Sequence, residues 1–142
     1  MSYEVVNLSI CKGDGGITVL IVDDEQEILN LIAEELVELD KSIQVILANT
    51  GYSALQCIQE QTIDLLLTDI AIPDMDGFQL YQRTKEIRPD MPIIMMTGFG
   101  YDPNHALLNS KKMGLTHTIY KPFDMNKLYK MICDVLGREI EK

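Results

Sequence analysis

Ile63-Asp64-Leu65-Leu66-Leu67-Thr68-Asp69 is a short apolar run that terminates in a carboxylate. Three other apolar runs also end in polar groups. Asp23-Asp24 follow Ile17-Thr18-Val19-Leu20-Ile21-Val22, Thr97 follows Ile93-Ile94-Met95-Met96, and Lys121 follows Thr118-Ile119-Tyr120. Short apolar runs that alternate with amphipathic stretches predict parallel strands crossed by helices. In such sheets ligands bind outside the carboxyl ends of the strands. The four signals therefore converge on one place: three carboxylates, one hydroxyl and one ammonium.

Outward from that run the pattern is regular. Strands are predicted over about 17–22, 43–48, 64–68, 92–97 and 116–120. The helices between them fall at about 25–39, 51–61, 77–88 and 103–114, with a fifth after Asp124. Ile28, Ile32, Leu36 and Leu39 form the predicted inward stripe of the first helix. In the last, Leu128, Met131, Ile132, Val135 and Leu136 point inward. Thr50 reads as an N-cap, Pro89 as a stop, Asp102-Pro103 as a helix start and Gly114 as a helix end. Five strands alternating with five helices imply an α/β, flavodoxin-like (βα)5 fold. By analogy of fold, its parallel sheet has the order 2-1-3-4-5. Residues 1–16 are weakly patterned and read as an N-terminal arm or linker, although the alternation of Val6, Leu8 and Ile10 also permits a short strand. Residues 17–142 read as one domain.

The chain has 142 residues, enough for one domain with a sizeable core. Its net charge of −10 argues against direct contact with nucleic acid, which needs a basic surface. No apolar stretch reaches membrane-spanning length and nothing at the start reads as a signal peptide. Cys11, Cys57 and Cys133 have neither metal nor redox spacing and are expected to be reduced thiols in a cytoplasmic protein.

Crowding Asp23, Asp24 and Asp69 into one cleft is costly unless their charge is neutralised. Hard oxygen donors favour magnesium, with manganese as a substitute. Lys121 adds a second positive charge and Thr97 a hydroxyl donor. A carboxylate beside a metal, an ammonium and a hydroxyl suits phosphoryl transfer, with the carboxylate as nucleophile.

The ordered set is more specific than its parts. Leu20-Ile21-Val22-Asp23-Asp24-Glu25, Leu67-Thr68-Asp69-Ile70 with Pro73-Asp74-Met75-Asp76-Gly77, Met95-Met96-Thr97-Gly98 and Lys121-Pro122-Phe123 resemble the receiver domain of two-component response regulators over residues 17–137. The lead-in Gly15-Gly16 to Glu25 also resembles receivers attached to hybrid histidine kinases. The resemblance implies that Asp69 is the phosphoacceptor, Asp24 a direct magnesium ligand and Asp23 a ligand through water. It further implies that the Ala71 backbone carbonyl is a ligand, Thr97 the switch hydroxyl and Lys121 the phosphate-pairing ammonium. The Lys121-Pro122 bond is expected to be cis, as in the family. The implied partners are a histidine kinase or phosphotransfer protein, and a second copy through the fourth helix, fifth strand and fifth helix. Tyr101, Tyr120 and Tyr129 would add aromatic area to that face.

One departure bears on signalling. The family usually carries Tyr or Phe three residues before the lysine, and here that position is Thr118. Tyr120 shares its strand face by period-two alternation and could take over part of that role, but the readout is expected mainly through the 98–104 loop and the fourth helix. Ala71 and Phe99 sit two residues after Asp69 and Thr97, positions that in the family line the route of the water that hydrolyses the aspartyl phosphate; Ala71 has no group to orient that water, and Phe99 could shield the phosphoryl group. A long-lived phosphoryl group is expected.

Three other functions compete. An aspartyl phosphatase of the haloacid-dehalogenase type needs an acid two residues after the nucleophile, where this chain has Ala71. A flavodoxin-like cofactor carrier would have its phosphate repelled by Asp23-Asp24-Glu25. A degenerate receiver, acting as a phosphorylation-independent interaction module, is the remaining alternative. The expected role is thus a signalling phosphoacceptor rather than an enzyme with turnover. His105 and His117 lack companions at ligand spacing, and Asp74 and Asp76 read as loop or cap residues.

Overall fold

The structure is a computed structural model that describes residues 4–6, 16–70, 72, 74–75, 77–97, 117–121 and 124–137, with backbone alone for 4–6 and 97. Its strands are β1 (Glu4–Val6), β2 (Ile17–Val22), β3 (Ile43–Ala48), β4 (Leu65–Asp69), β5 (Ile93–Thr97) and β6 (Thr118–Tyr120). Its helices are α1 (Gln26–Leu39), α2 (Gly51–Glu60), α3 (Gly77–Ile87) and α4 (Met125–Leu136). The helix expected over 103–114 lies outside the described residues, as do Cys11, Phe99, Tyr101, His105 and the Lys121-Pro122 bond.

The sheet runs β1-β3-β2-β4-β5-β6. From β2 onward the strands are parallel in the expected order 2-1-3-4-5. The order brings β2, β4 and β5 together, so their carboxyl ends share one rim. β1 is antiparallel to β3, with Glu4 opposite Leu47 and Val6 opposite Val45. The strand considered on the alternation of Val6, Leu8 and Ile10 lies, beyond Val6, outside the described residues; the strand found is Glu4–Val6.

Side-chain alternation divides the core into two layers. Leu20, Val22, Ile46, Leu66 and Met95 face α2 and α3, where they meet Ala54, Ile58, Phe78 and Leu80. Val19, Ile21, Val45, Leu67 and Ile94 face α1 and α4, where they meet Leu29, Ile32, Leu36, Leu128 and Ile132. Strands covered on both faces carry almost continuous apolar sequence, which is the reason for these runs. Met91, Met95 and Met96 fill this core. Cys57 and Cys133 are buried in opposite layers, consistent with thiols that pack rather than react.

The structure corrects two of the expected helix faces. In α1 the buried positions are Leu29, Ile32, Ala33 and Leu36, whereas Ile28 is half-buried and Leu39 is 40% exposed. In α4, Tyr129 and Cys133 join Leu128 and Ile132 inside, while Met131, Val135 and Leu136 are half-buried. Tyr129 therefore adds no exposed aromatic area; Tyr120 does.

Capping holds the helices in register with the rim. Thr50 Oγ1 accepts from the Ser53 N–H at 3.0 Å. Asp74, from the loop after β4, accepts from Gly51 N–H at 2.7 Å and Tyr52 N–H at 2.9 Å. The first amides of α2 are thus satisfied by a carboxylate, the charge a helix N-terminus favours. Asp74 is a cap residue, as the sequence indicated. At the far end of α2, Arg88 Nη2 donates to the carbonyls of Ile58 and Gln61. Asp124 caps α4 through Asn126 N–H, and Gly137 closes it at φ 70°, in the left-handed region that favours glycine.

Tyr129 ties α4 to the end of α1. Its hydroxyl donates to Asp40 Oδ2 at 2.8 Å, and Asp40 Oδ1 accepts from the Ser42 amide and hydroxyl. Burial, then the hydrogen bonds to Asp40 and Cys133, raise the Tyr129 pKa. The folded state keeps a proton that the unfolded state releases near pH 10. Its contribution is full below that pH and declines as pH rises toward the folded pKa. Tyr129→Phe is expected to lower stability at pH 7 by about 1.5–3 kcal/mol, the range for hydrogen bonds to charged groups. It should also flatten the alkaline loss of stability, both read by urea unfolding across pH.

Candidate functional site

The site stands on the carboxyl rim of the sheet. β2 ends at Val22, and the chain turns immediately into α1 through Asp23, Asp24 and Glu25. The Asp23 amide donates to the Ala48 carbonyl at 3.2 Å, which extends the sheet by one residue. The Asp23 side chain therefore sits inside the protein, 0% exposed, and Asp24 comes out on the other side, exposed. Asp23 Oδ1 also accepts from Glu25 N–H at 3.0 Å, fixing the turn into α1. Glu25, the helix N-cap, makes no side-chain cap of its own.

Asp69 is the last residue of β4 and is buried. Its backbone is held on two sides. The Thr68 hydroxyl donates to the Asp69 carbonyl at 3.0 Å, and the Ile70 amide donates to the Met96 carbonyl at 3.0 Å. The chain then returns against itself, with Gly77 N–H bonding the Ile70 carbonyl at 2.7 Å. A Cβ at Gly77 would meet the Asp69 carbonyl oxygen and Ile70 Cα at 2.8 Å each. Glycine at 77 is thus a condition for seating α3 beside the Asp69 backbone. The sequence pattern placed Gly77 at the start of the third helix without revealing this close approach; a glycine where a helical pattern begins is the signal available.

Lys121 follows β6 directly and reaches across the rim. Its Nζ donates to Asp23 Oδ2 at 2.6 Å and to Asp69 Oδ2 at 2.9 Å. One ammonium bridges two carboxylates from two other strands. Burial works to lower the Lys121 pKa, but the two hydrogen bonds and the attraction of both carboxylates outweigh it, so the pKa lies above its usual value. The charged form is the one the site holds.

Carboxylate oxygens of Asp23, Asp24 and Asp69 lie within 4.8 Å of one another, two of the residues buried and one exposed. Three hard oxygen donors with an open side suit a small divalent cation such as magnesium, which takes few carboxylates and keeps its waters. The donor set therefore fits the metal expected from the sequence.

Among the expected site residues, Asp23, Asp24, Asp69 and Lys121 come together. Thr97 ends β5 beside β4, in register with Tyr120 on β6; its side chain and the whole of Ala71 lie outside the described residues. Thr118 is half-buried, and Tyr120 is 46% exposed. His117 is half-buried just before β6, where its carbonyl accepts from the Met95 amide.

Comparison with known proteins agrees with this geometry. The sequence profile of the family described as response regulator receiver domain matches residues 19–133. The transcriptional regulatory protein GlrR of Escherichia coli (strain K12) is 30% identical over 117 residues, 82% of this chain and 26% of that protein. Sporulation initiation phosphotransferase F of Bacillus subtilis (strain 168) is 34% identical over 110 residues, 78% of this chain and 86% of that protein. A crystal structure of a CheY-like response regulator receiver domain protein from Methanospirillum hungatei JF-1 is 31% identical, with a TM-score of 0.77 over 87% of this chain and 95% of that one. The chain spans 26% of the length of the transcriptional regulators it matches.

Removing the ammonium would strand a buried charge. Lys121→Met is expected to destabilise the metal-free protein by roughly 3–5 kcal/mol, the range for breaking a buried pair. In an Asp23→Asn background the loss should be much smaller. Equal losses in both backgrounds, measured by denaturant titration, would contradict the pairing. Because the folded pKa of Lys121 is raised, its contribution is full below about pH 10.4, its unfolded value, and is lost as pH rises through the folded pKa.

Proposed function

The chain belongs to the response regulator receiver domain family, and from that premise we propose that it is a phosphorelay module that accepts a phosphoryl group on Asp69. The observation that carries the proposal is the Lys121 bridge between Asp23 and Asp69 beside an exposed Asp24. The donor is a phosphohistidine on a histidine kinase or phosphotransfer protein. An Asp69 carboxylate oxygen attacks phosphorus. The P–O bond forms as the P–N bond to the imidazole breaks, and the electron pair of that bond returns to the nitrogen. The product is an aspartyl phosphate.

Each residue has a distinct task in this reading. Asp69 supplies the nucleophile and is held immobile by its backbone bonds. Lys121 has three N–H donors, two of which engage carboxylates. Its ammonium stays on the rim and stabilises charge on the phosphoryl oxygens as it develops. Thr97, at the end of β5, supplies the hydroxyl that pairs with the transferred group. Asp24 as direct ligand, Asp23 through water, Asp69 and the Ala71 carbonyl would hold magnesium, which neutralises charge on the phosphoryl group when bound. Asp23 also keeps Lys121 aimed. With Ala71 where an acid would be needed for rapid hydrolysis, the chain acts as a phosphoacceptor and not as a turnover phosphatase.

Output passes to partner proteins through the side of the sheet that carries β6 and α4, where Tyr120 is exposed. With Thr118 in place of a larger ring, the readout rests on Tyr120 and the segment after Thr97.

Intact-protein mass spectrometry after incubation with magnesium and acetyl phosphate tests the proposal. One added, hydroxylamine-labile phosphoryl group is expected, and none in Asp69→Asn. If no mass is added in a rapid-quench time course, the phosphoacceptor reading fails and a phosphorylation-independent interaction module takes its place.

A further inference from the structure

β3 is the edge strand of the five-stranded parallel sheet, and its sequence Ile43-Gln44-Val45-Ile46-Leu47-Ala48 contains no charge, proline or glycine. Such an edge lacks the usual features that prevent strand-to-strand association. The direction of its backbone groups follows from the hydrogen bonds. The Ser42 carbonyl accepts from Ile17 N–H and the Ala48 carbonyl from Asp23 N–H, both on the β2 side. Backbone groups alternate along a strand, so Ile43, Val45 and Leu47 face the other edge. The Ile43 amide is already taken by the Asp40 carbonyl at 3.1 Å. The other N–H groups on this edge belong to Val45 and Leu47, residues 0% and 3% exposed.

β1 lies opposite these two residues, with Val6 facing Val45 and Glu4 facing Leu47. In that register Glu4 and Val6 exchange hydrogen bonds with β3, and the Val5 backbone points away. Glu4 and Val6 thus take up the edge groups of Leu47 and Val45.

We propose that β1 is an intramolecular cover over the β3 edge, and that displacing it converts this edge into a homodimer contact in which two copies join β3 to β3. The pairing of β1 shows that the edge accepts an antiparallel strand. Two β3 strands related by a two-fold axis are antiparallel and present the same Val45 and Leu47 groups to each other, which gives a closed, self-complementary interface. A second copy fits because the edge is uncharged and self-complementary. Each copy carries a net charge of −10, so association strengthens with salt.

The test uses proline in the full chain. Val6→Pro and Glu4→Pro each remove an N–H that bonds β3, whereas Val5→Pro removes an outward N–H and leaves the cover seated. Sedimentation velocity gives the oligomeric state, and amide hydrogen exchange by NMR follows Val45 and Leu47. In the native chain and Val5→Pro, both amides are expected to be protected at every concentration. In Val6→Pro and Glu4→Pro they should exchange rapidly in dilute solution, then regain protection as mass doubles with concentration and salt. Association that leaves the two amides unprotected would place the contact on another face and overturn the proposal. So would monomers at all concentrations, or unprotected amides in the native chain. Unfolding of both Val6→Pro and Glu4→Pro would make β1 a required part of the fold, and would also overturn it.

Discussion

Lys121 is the point on which the rim depends. Its ammonium is shared between Asp23, which has no exposed surface, and Asp69, which is nearly as buried. Two carboxylates at that depth repel each other and lose their hydration. The lysine offsets both effects, and it does so from β6, two strands away from β4 and three from β2. The sheet order is therefore a requirement of the chemistry: only with β2, β4, β5 and β6 side by side do these residues meet.

The support around that bridge is mostly backbone. Asp69 is fixed by the hydrogen bonds of Thr68 and Ile70 and by Gly77, which brings α3 close enough to bond the Ile70 carbonyl. The same loop sends Asp74 to the start of α2, so the turn after β4 is anchored at both ends. Asp69 thus sits on a braced strand end, while Asp24 stands at the surface where a cation with its waters can approach. Such placement of a carboxylate beside an accessible donor set is what the proposed phosphoryl transfer requires, since positioning and charge stabilisation supply most of its catalysis.

Much of this was legible in the chain. Apolar runs ending in Asp, Asp, Thr and Lys revealed both the strands and the rim, because strands covered on both faces must be apolar and their ends must not. Strand order was not encoded in periodicity and came from analogy of fold. Contacts between distant residues were illegible in detail. Tyr129 read as surface aromatic, yet its partner Asp40 lies 89 residues earlier. The stripe of α1 was misphased because Ile28 and Leu39 are apolar at helical spacing, yet the buried face runs through Leu29 and Ala33 and leaves Leu39 exposed. β1 is three residues long and was not legible as a strand at Glu4–Val6, where it pairs antiparallel with the distant β3.

The central claim is that the carboxylates gathered by Lys121 form a magnesium-dependent phosphoryl site. The most direct measurement is an NMR titration of the native protein with magnesium, following the backbone amides of Asp23, Asp24 and Asp69. Saturable shifts are expected at these amides, and they should disappear in Asp24→Ala while the fold is retained. Amides that stay unmoved at millimolar magnesium, or that move equally in Asp24→Ala, would contradict it.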